Sequence, residues 1–220
     1  MERALIFAAG RGERMRPLTD VTPKPLLEVR GKRLIEWHLQ ALARAGVREV
    51  VINTSHLADQ FPEVLGDGSR WGLRIDYSYE GTTPLETGGG MLRALPLLGD
   101  APFVAVNGDI FTDLDFSTLP KNPDGLAHLV MIDNPAHHPQ GDFVLREGLL
   151  HDEASPRLTF AGIGVYRPEL LADCQPGIFS IVPSLRAAIR DGAVSGEHFR
   201  GRWMDAGTPQ RLAALNAREP

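Results

Sequence analysis

The chain has 220 residues, 43% hydrophobic and 23% charged, with a formal net charge of −5. This suits one domain with a substantial core, and the acidic balance gives no support to a nucleic-acid partner. A single cysteine, Cys174, excludes an intrachain disulfide and a cysteine-rich metal site, and reads as a buried or half-buried free thiol.

Residues 3–8, "RALIFA", are a short apolar run ended by Gly10, which suits a buried strand. Over 32–45, apolar residues recur at Leu34, Ile35, Leu39, Leu42 and Ala45, a helical spacing that Gly46 is placed to end. "REVVIN" (48–53) predicts a second strand and "HLADQFPEVLG" (56–66) a helix that Pro62 bends or restarts. "LRIDYSYE" (73–80) alternates like a strand, "TGGGMLRALPLL" (87–98) begins with glycines and becomes helical, and "PFVAVNGD" (102–109) is an apolar strand with a polar end. This alternation predicts a mostly parallel sheet covered by helices, with ligand beyond the carboxyl ends of its strands. The polar, Gly-rich segments 9–16, 80–90 and 107–109 all fall at that edge.

The second half is less regular. It predicts a strand over 126–133, a hairpin around Glu147–Gly148, a strand over 157–168 and a helix over 180–192. A strand pair is expected over 195–208, then a final helix with Thr208 as N-cap and Pro209 at its first position. No apolar run approaches the ~20 residues of a membrane span. The N-terminus lacks the apolar core and cleavage site of a signal peptide, so a cytoplasmic protein without a membrane partner is expected.

The opening loop, "FAAGRGERMRPLTDVTPKPLLEV", is the most specific stretch. Gly10 and Gly12 begin a dinucleotide fingerprint, but Met15 stands where the third glycine would pack helix on strand. The prolines at 17, 23 and 25 do not permit a helix after the glycines, and no G-x-x-x-x-G-K-[ST] motif is present. The loop reads instead as a phosphate clamp. Glycines let the backbone approach an anion, Arg11, Arg14 and Arg16 offer forked donors, and Lys24 is a point charge between two prolines. A clamp this basic suits a triphosphate, which needs Mg²⁺ and hard oxygen ligands. Asp109 in "VNGD" and Asp205 in "WMDAGT" share one local form, an apolar strand running into an acid and a glycine. His137 and His138 lack further ligands at zinc spacing and read as loop residues. Trp37, Trp71 and Trp203 read as packing residues, with Trp203 placed to brace Asp205.

These stretches, with "PLETGGG" and "PQGDFVL", resemble the sugar-1-phosphate nucleotidylyltransferases over nearly the whole chain. Within that family, "GERMRPLT" with "PLETGGG" on a short chain is most similar to bacterial uridylyltransferases acting on N-acetylmuramate 1-phosphate in cell-wall recycling. Short mannose-1-phosphate guanylyltransferases are also similar, and glucose-1-phosphate thymidylyl- and uridylyltransferases stay open. So does a non-catalytic sensor of sugar nucleotides, whose mark would be loss of a clamp residue. The resemblance implies a three-layer, Rossmann-like α/β fold of the nucleotide-diphospho-sugar transferase type. It also implies a single domain over 1–220, with 1–110 binding nucleotide and 110–200 binding sugar.

By similarity, the reaction would join an NTP, best UTP, to a sugar 1-phosphate with release of pyrophosphate. Ala9, Gly10, Arg11, Gly12, Glu13 and Arg14 would wrap the triphosphate, with Arg14 on its outer groups and Lys24 on the α-phosphate. Arg14, Lys24 and Asp109 would be catalytic, and Asp109 and Asp205 would hold Mg²⁺. Asn107 would bond sugar or ribose, and Gly141 would let the backbone approach the sugar. Glu80, Glu86, Thr87 and Gly88 would face the base. Two departures stand out. Glu86 replaces a glycine of the relatives' "PLGTAG", and "HDEASPRL" lacks the lysine that binds the sugar phosphate in relatives with "EKP". Arg157, Arg200 and Arg202 are the candidate substitutes. The short chain is compatible with a monomer.

Overall fold

The computed structural model describes residues 1–154 and 156–217. Its elements are β1 (Arg3–Phe7), α1 (Leu18–Val21), β2 (Glu28–Val29), β3 (Lys32–Arg33), α2 (Leu34–Arg44), β4 (Glu49–Thr54), α3 (Gln60–Leu65), β5 (Arg74–Tyr79), α4 (Glu86–Leu98), β6 (Phe103–Asn107), β7 (Ile110–Thr112), β8 (Ala127–Ile132), β9 (Val144–Arg146), β10 (Leu149–His151), β11 (Thr159–Tyr166), α5 (Val182–Arg190), β12 (Val194–His198), β13 (Trp203–Asp205) and α6 (Pro209–Asn216).

The uninterrupted apolar run of β1 is explained by burial on both faces: Ala4, Leu5 and Ile6 are fully enclosed. It pairs in parallel with β4 on one side and β6 on the other. The main sheet has nine strands in the order β5-β4-β1-β6-β11-β8-β12-β10-β9. Only β11 and β10 run against the rest. On one face Ile6, Ile52 and Val106 pack with Ile35, Leu39 and Phe61 of α2 and α3. On the other, Leu5, Val51 and Ala105 pack with Met91 and Ala94 of α4 and Leu185 of α5. The result is the expected three-layer α/β fold.

β8 and β12 continue the sheet in the direction of β6, so their carboxyl ends share its ligand edge. Because β11 is reversed, its beginning, Thr159–Gly162, lies at that same edge. A shift in register between Phe160 and Gly164 bends the strand there, and Gly162, at φ 74°, leaves room for the Asn107 side chain. Both halves of the chain therefore deliver loops to one place.

Three expectations are corrected. The opening loop is not free of helix: single turns form at 13–15, 18–21 and 24–26. Each stays one turn long because prolines fit the start of a turn but not its continuation. α3 starts at Gln60 rather than His56, because Leu57 adopts φ 52°. Pro62 then falls in the first turn, where its missing N–H costs nothing. The strands over 195–208 do not pair with each other. β12 extends along β8, with Phe199 N–H donating to the Met131 carbonyl, and β13 turns back to β7. Asp113 directs that turn by accepting from Arg202 N–H at 2.8 Å. The predicted hairpin does form, with Glu147 and Gly148 both at positive φ, as a two-residue turn requires. Thr208 caps α6 by accepting from Arg211 N–H. Cys174 is a half-buried free thiol. Among the described residues, no helix is long and apolar enough to cross a membrane.

Candidate active site

Two clefts open at the carboxyl edge and meet at Asn107 and Asp109. The first, about 210 Å³, has Ala9, Gly10, Glu80, Glu86 and Thr87 in its wall. The second, about 310 Å³, is lined from the other half by His137, His138, Asp142, Phe160, Trp203 and Asp205.

The wall of the first cleft is built on a buried polar chain. Asn53, at the end of β4, accepts from Ala8 N–H at 2.6 Å and donates to Glu80 Oε1 at 2.5 Å. The other oxygen of Glu80 accepts from Leu85 N–H at 2.6 Å. Burial pushes the Glu80 carboxyl above its ordinary range, against the opposing effect of the Leu85 and Asn53 hydrogen bonds and the Arg93 charge. Glu80 thus ties three strand ends together from within the wall. The α4 glycines complete it by close packing. A Cβ at Gly90 would lie 2.4 Å from Glu80 Oε1, and one at Gly89 would lie 2.1 Å from the Gly177 carbonyl. Gly88 sits behind the cleft with its N–H given to the Phe179 carbonyl, and the Thr87 hydroxyl accepts from Ile181 N–H. Glu86 adopts φ 61°, a conformation that a glycine holds at less cost, and its side chain is exposed at the cleft.

The clamp loop carries two different glycines. Gly12, at φ 64°, must lack a side chain because a Cβ would press on Thr19. Among the described residues, a Cβ at Gly10 meets nothing within 4 Å, and Gly10 lines the cleft, so no described atom of the chain needs its bareness. Arg11 donates to the Thr82 carbonyl at 2.9 Å, Arg16 pairs with Asp20, and Glu13 lies in an exposed turn. Arg14 is exposed and, among the described residues, its guanidinium has no partner. Lys24 reaches in from the third turn and pairs with Asp109 at 2.8 Å, with 11% of its side chain exposed.

Asp109 and Asp205 arrive together because β7 and β13 pair, with Asp205 opposite Ile110 and Ala206 N–H donating to the Asp109 carbonyl at 2.8 Å. Asp205 is itself held. Its Oδ2 faces His137 Nε2 at 2.9 Å, and its Oδ1 accepts from Gly207 N–H at 2.8 Å. Arg211 Nε lies 2.9 Å from the same oxygen, although its N–H is not aimed along that line. No group of three or more His, Cys, Asp or Glu gathers as a metal site among the described residues. Two carboxylates on one cleft, with the remaining positions left to phosphate and water, are nonetheless a donor set that fits Mg²⁺. Beneath Asp109, the wholly buried His38 is hydrogen-bonded to the Ile110 carbonyl at 2.8 Å, and burial lowers its pKa to about 4.

On the sugar side, Gly141 is required by the chain itself. It holds φ 63°, and a Cβ would lie 2.8 Å from Asn134 Oδ1 and 2.9 Å from the Leu158 carbonyl. Arg157, Arg200 and Arg202 are not among the residues that line the second cleft. Arg157 turns away to the Glu153 carbonyl and Asp152. The sequence reading missed Asn53, Arg211 and the cleft position of both histidines. Asn53 carried a signal, a polar residue ending an apolar strand; the others depend on pairings between distant segments.

A family model described as Nucleotidyl transferase matches residues 3–143. The chain belongs to this family. It is 48% identical to N-acetylmuramate alpha-1-phosphate uridylyltransferase of Neisseria meningitidis, over 98% of this chain and 97% of the relative. The protein of the same name from Caulobacter vibrioides is 37% identical over 98% of this chain and 96% of its own length. These relatives are sugar-1-phosphate nucleotidyltransferases, as the sequence resemblance implied. The fold agrees. The inositol-1-phosphate CTP transferase of T. maritima superposes with a TM-score of 0.79 at 17% identity, covering 98% of this chain and 96% of that one.

Proposed function

We propose that this nucleotidyl transferase joins UTP to N-acetylmuramate 1-phosphate, giving UDP-N-acetylmuramate and pyrophosphate, as a cytoplasmic step in recycling cell-wall sugar. The observation that carries the reading is the pair of clefts meeting at Asn107 and Asp109 beside Lys24. The 48% identity to a uridylyltransferase of this specificity supports the choice of base and sugar.

In this reading the nucleoside lies along Ala9, Gly10, Glu80, Glu86 and Thr87, and the sugar lies in the second cleft. An oxygen of the sugar phosphate attacks the α-phosphorus, the bond to the bridging α,β-oxygen breaks, and pyrophosphate leaves. No protein nucleophile is needed; the chain contributes position and charge. Arg14, Arg11 and the backbone of Gly10–Glu13 draw the outer phosphates to the clamp. Lys24 meets the charge growing at the α-phosphate, and Asn107 holds a hydroxyl between the clefts. Asp109 and Asp205 would hold Mg²⁺, which when bound neutralises triphosphate charge. His38, kept neutral by burial, fixes the strand that begins just after Asp109.

The test is pyrophosphate release over four NTPs and the 1-phosphates of N-acetylmuramate, N-acetylglucosamine, mannose, glucose and galactose, with and without Mg²⁺. One dominant response at UTP with N-acetylmuramate 1-phosphate, abolished by EDTA, is expected. A dominant GTP–mannose response would overturn the substrates and keep the chemistry.

A further inference from the structure

Among the described residues, the second cleft is lined by the carboxylates of Asp109, Asp142 and Asp205 and by no lysine or arginine. Its basic side chains are His137 and His138. An uncharged sugar could lie against such a wall. N-acetylmuramate carries a second anion, the carboxylate of its lactyl ether, which needs a donor away from the phosphate.

The two histidines are not equivalent. His137 is committed to Asp205 at 2.9 Å, on the side of the reacting phosphate. His138 lies against Asp142 instead, Nε2 to Oδ1 at 3.1 Å, and 41% of its side chain is open to the cleft and solvent. Asp142 is anchored from behind, its Oδ2 accepting from Phe160 N–H at 2.8 Å. The carboxylate therefore fixes one ring nitrogen and leaves the other without a partner among the described residues.

The loop that carries this pair is tied down by other hydrogen bonds. Asn134 donates to the Pro139 and Arg157 carbonyls, and Thr159 Oγ1 donates to Asn134 Oδ1 at 2.8 Å. Asp142 N–H donates to the Leu158 carbonyl, and Pro135 and Pro139 limit the backbone between. An exposed His–Asp pair adds little to stability. Its cost and its orientation are better explained by a ligand.

We propose that His138, oriented by Asp142, is the specificity-determining residue that binds the carboxylate of an acidic substituent on the sugar 1-phosphate. The ring bridges two carboxylates, with Nε2–H donating to Asp142 and Nδ1–H to the ligand. This inference rests on the uridylyltransferase reading and names the residue that separates N-acetylmuramate 1-phosphate from N-acetylglucosamine 1-phosphate, which lacks the lactyl group.

The experiment measures kcat and KM with UTP on both sugar phosphates for the wild type, His138→Gln and His138→Lys. His138→Gln should raise KM for N-acetylmuramate 1-phosphate about tenfold or more, the worth of a charge-assisted hydrogen bond. The loss for N-acetylglucosamine 1-phosphate should be several-fold smaller, so the preference between the two sugars falls. His138→Lys, which keeps a cation, should recover part of the loss. An equal fall on both sugars would place the ring on the phosphate or the loop and overturn the assignment alone, as would no change on either. A wild type inactive with N-acetylmuramate 1-phosphate would overturn the substrate reading and this assignment with it.

Discussion

The loop after β1 and the loop after β8 leave the same edge of the same sheet, and both are stiffened by prolines, yet they are built on opposite plans. In the first, Arg14 is unpartnered among the described residues, and Gly10 leaves open space that no described part of the chain fills. In the second, each basic side chain is already paired with a carboxylate, and Gly141 is bare because the chain itself leaves no room for a Cβ. The proposed ligands account for the difference. A triphosphate carries enough charge to order an exposed arginine such as Arg14 around it. The sugar 1-phosphate carries less charge and spreads it further apart, so its partners are set in place beforehand.

The contrast predicts where each side acts. Lys24→Ala should lower kcat by on the order of 10³, because it removes a donor aimed at charge that grows only in the transition state. Substitution on the sugar side should act chiefly on KM. Steady-state pyrophosphate release checks this, and a fall in kcat below about tenfold for Lys24→Ala would move the transition-state charge to another residue.

The wall behind the nucleotide side is as tightly packed as the clamp is open. Gly89→Ala would bring a Cβ within 2.1 Å of the Gly177 carbonyl. Neither backbone can yield cheaply, so we expect a loss of about 3 kcal/mol or more in urea unfolding. A loss below about 1 kcal/mol would mean that the 177–179 segment is free to shift.

Under the junction of the two sides, His38 makes stability depend on pH. Its folded pKa of about 4 lies below its ordinary 6.5. The unfolded chain therefore takes up the proton first as pH falls. The contribution is intact above about pH 6.5, and it is lost progressively down to about pH 4. Its full size is on the order of 3 kcal/mol. Unfolding of the wild type minus that of His38→Gln should show this slope; parallel curves would assign the acid sensitivity elsewhere.

The same division governs how much of the fold and the site was legible in sequence. β1, β4, β6 and the clamp could be read because a buried parallel strand writes a continuous apolar run, and the ligand edge lies just beyond its carboxyl end. Asp109 could be read for the same reason. The partners of Asp205 could not. His137 reaches it from the loop after β8 and Arg211 from α6, and no local period encodes those approaches. The strand pair expected over 195–208 failed similarly. Two strands a short turn apart ordinarily form a hairpin, but β8 and β7 offered each a better edge. Leu57 at φ 52° shortened α3, and nothing in its side chain announces that.

The smallest effect is the most discriminating. The chain has a glycine beside each cleft, and the two should fail in opposite ways. At Gly141, alanine must hold φ 63° and press on Asn134 and the Leu158 carbonyl. That should cost about 1–2 kcal/mol of stability and blunt both sugar substrates alike, since it disturbs the whole loop. At Gly10, alanine meets no atom of the described residues beyond its chain neighbours and needs no unusual backbone. Its melting temperature should stay within about 2 °C of the wild type, while KM for UTP rises about tenfold, because the methyl occupies space meant for phosphate. Thermal unfolding and UTP titration of the two variants side by side would read this. A destabilised Gly10→Ala with an unchanged KM would show that the open space serves folding, and the clamp would lose its best structural evidence.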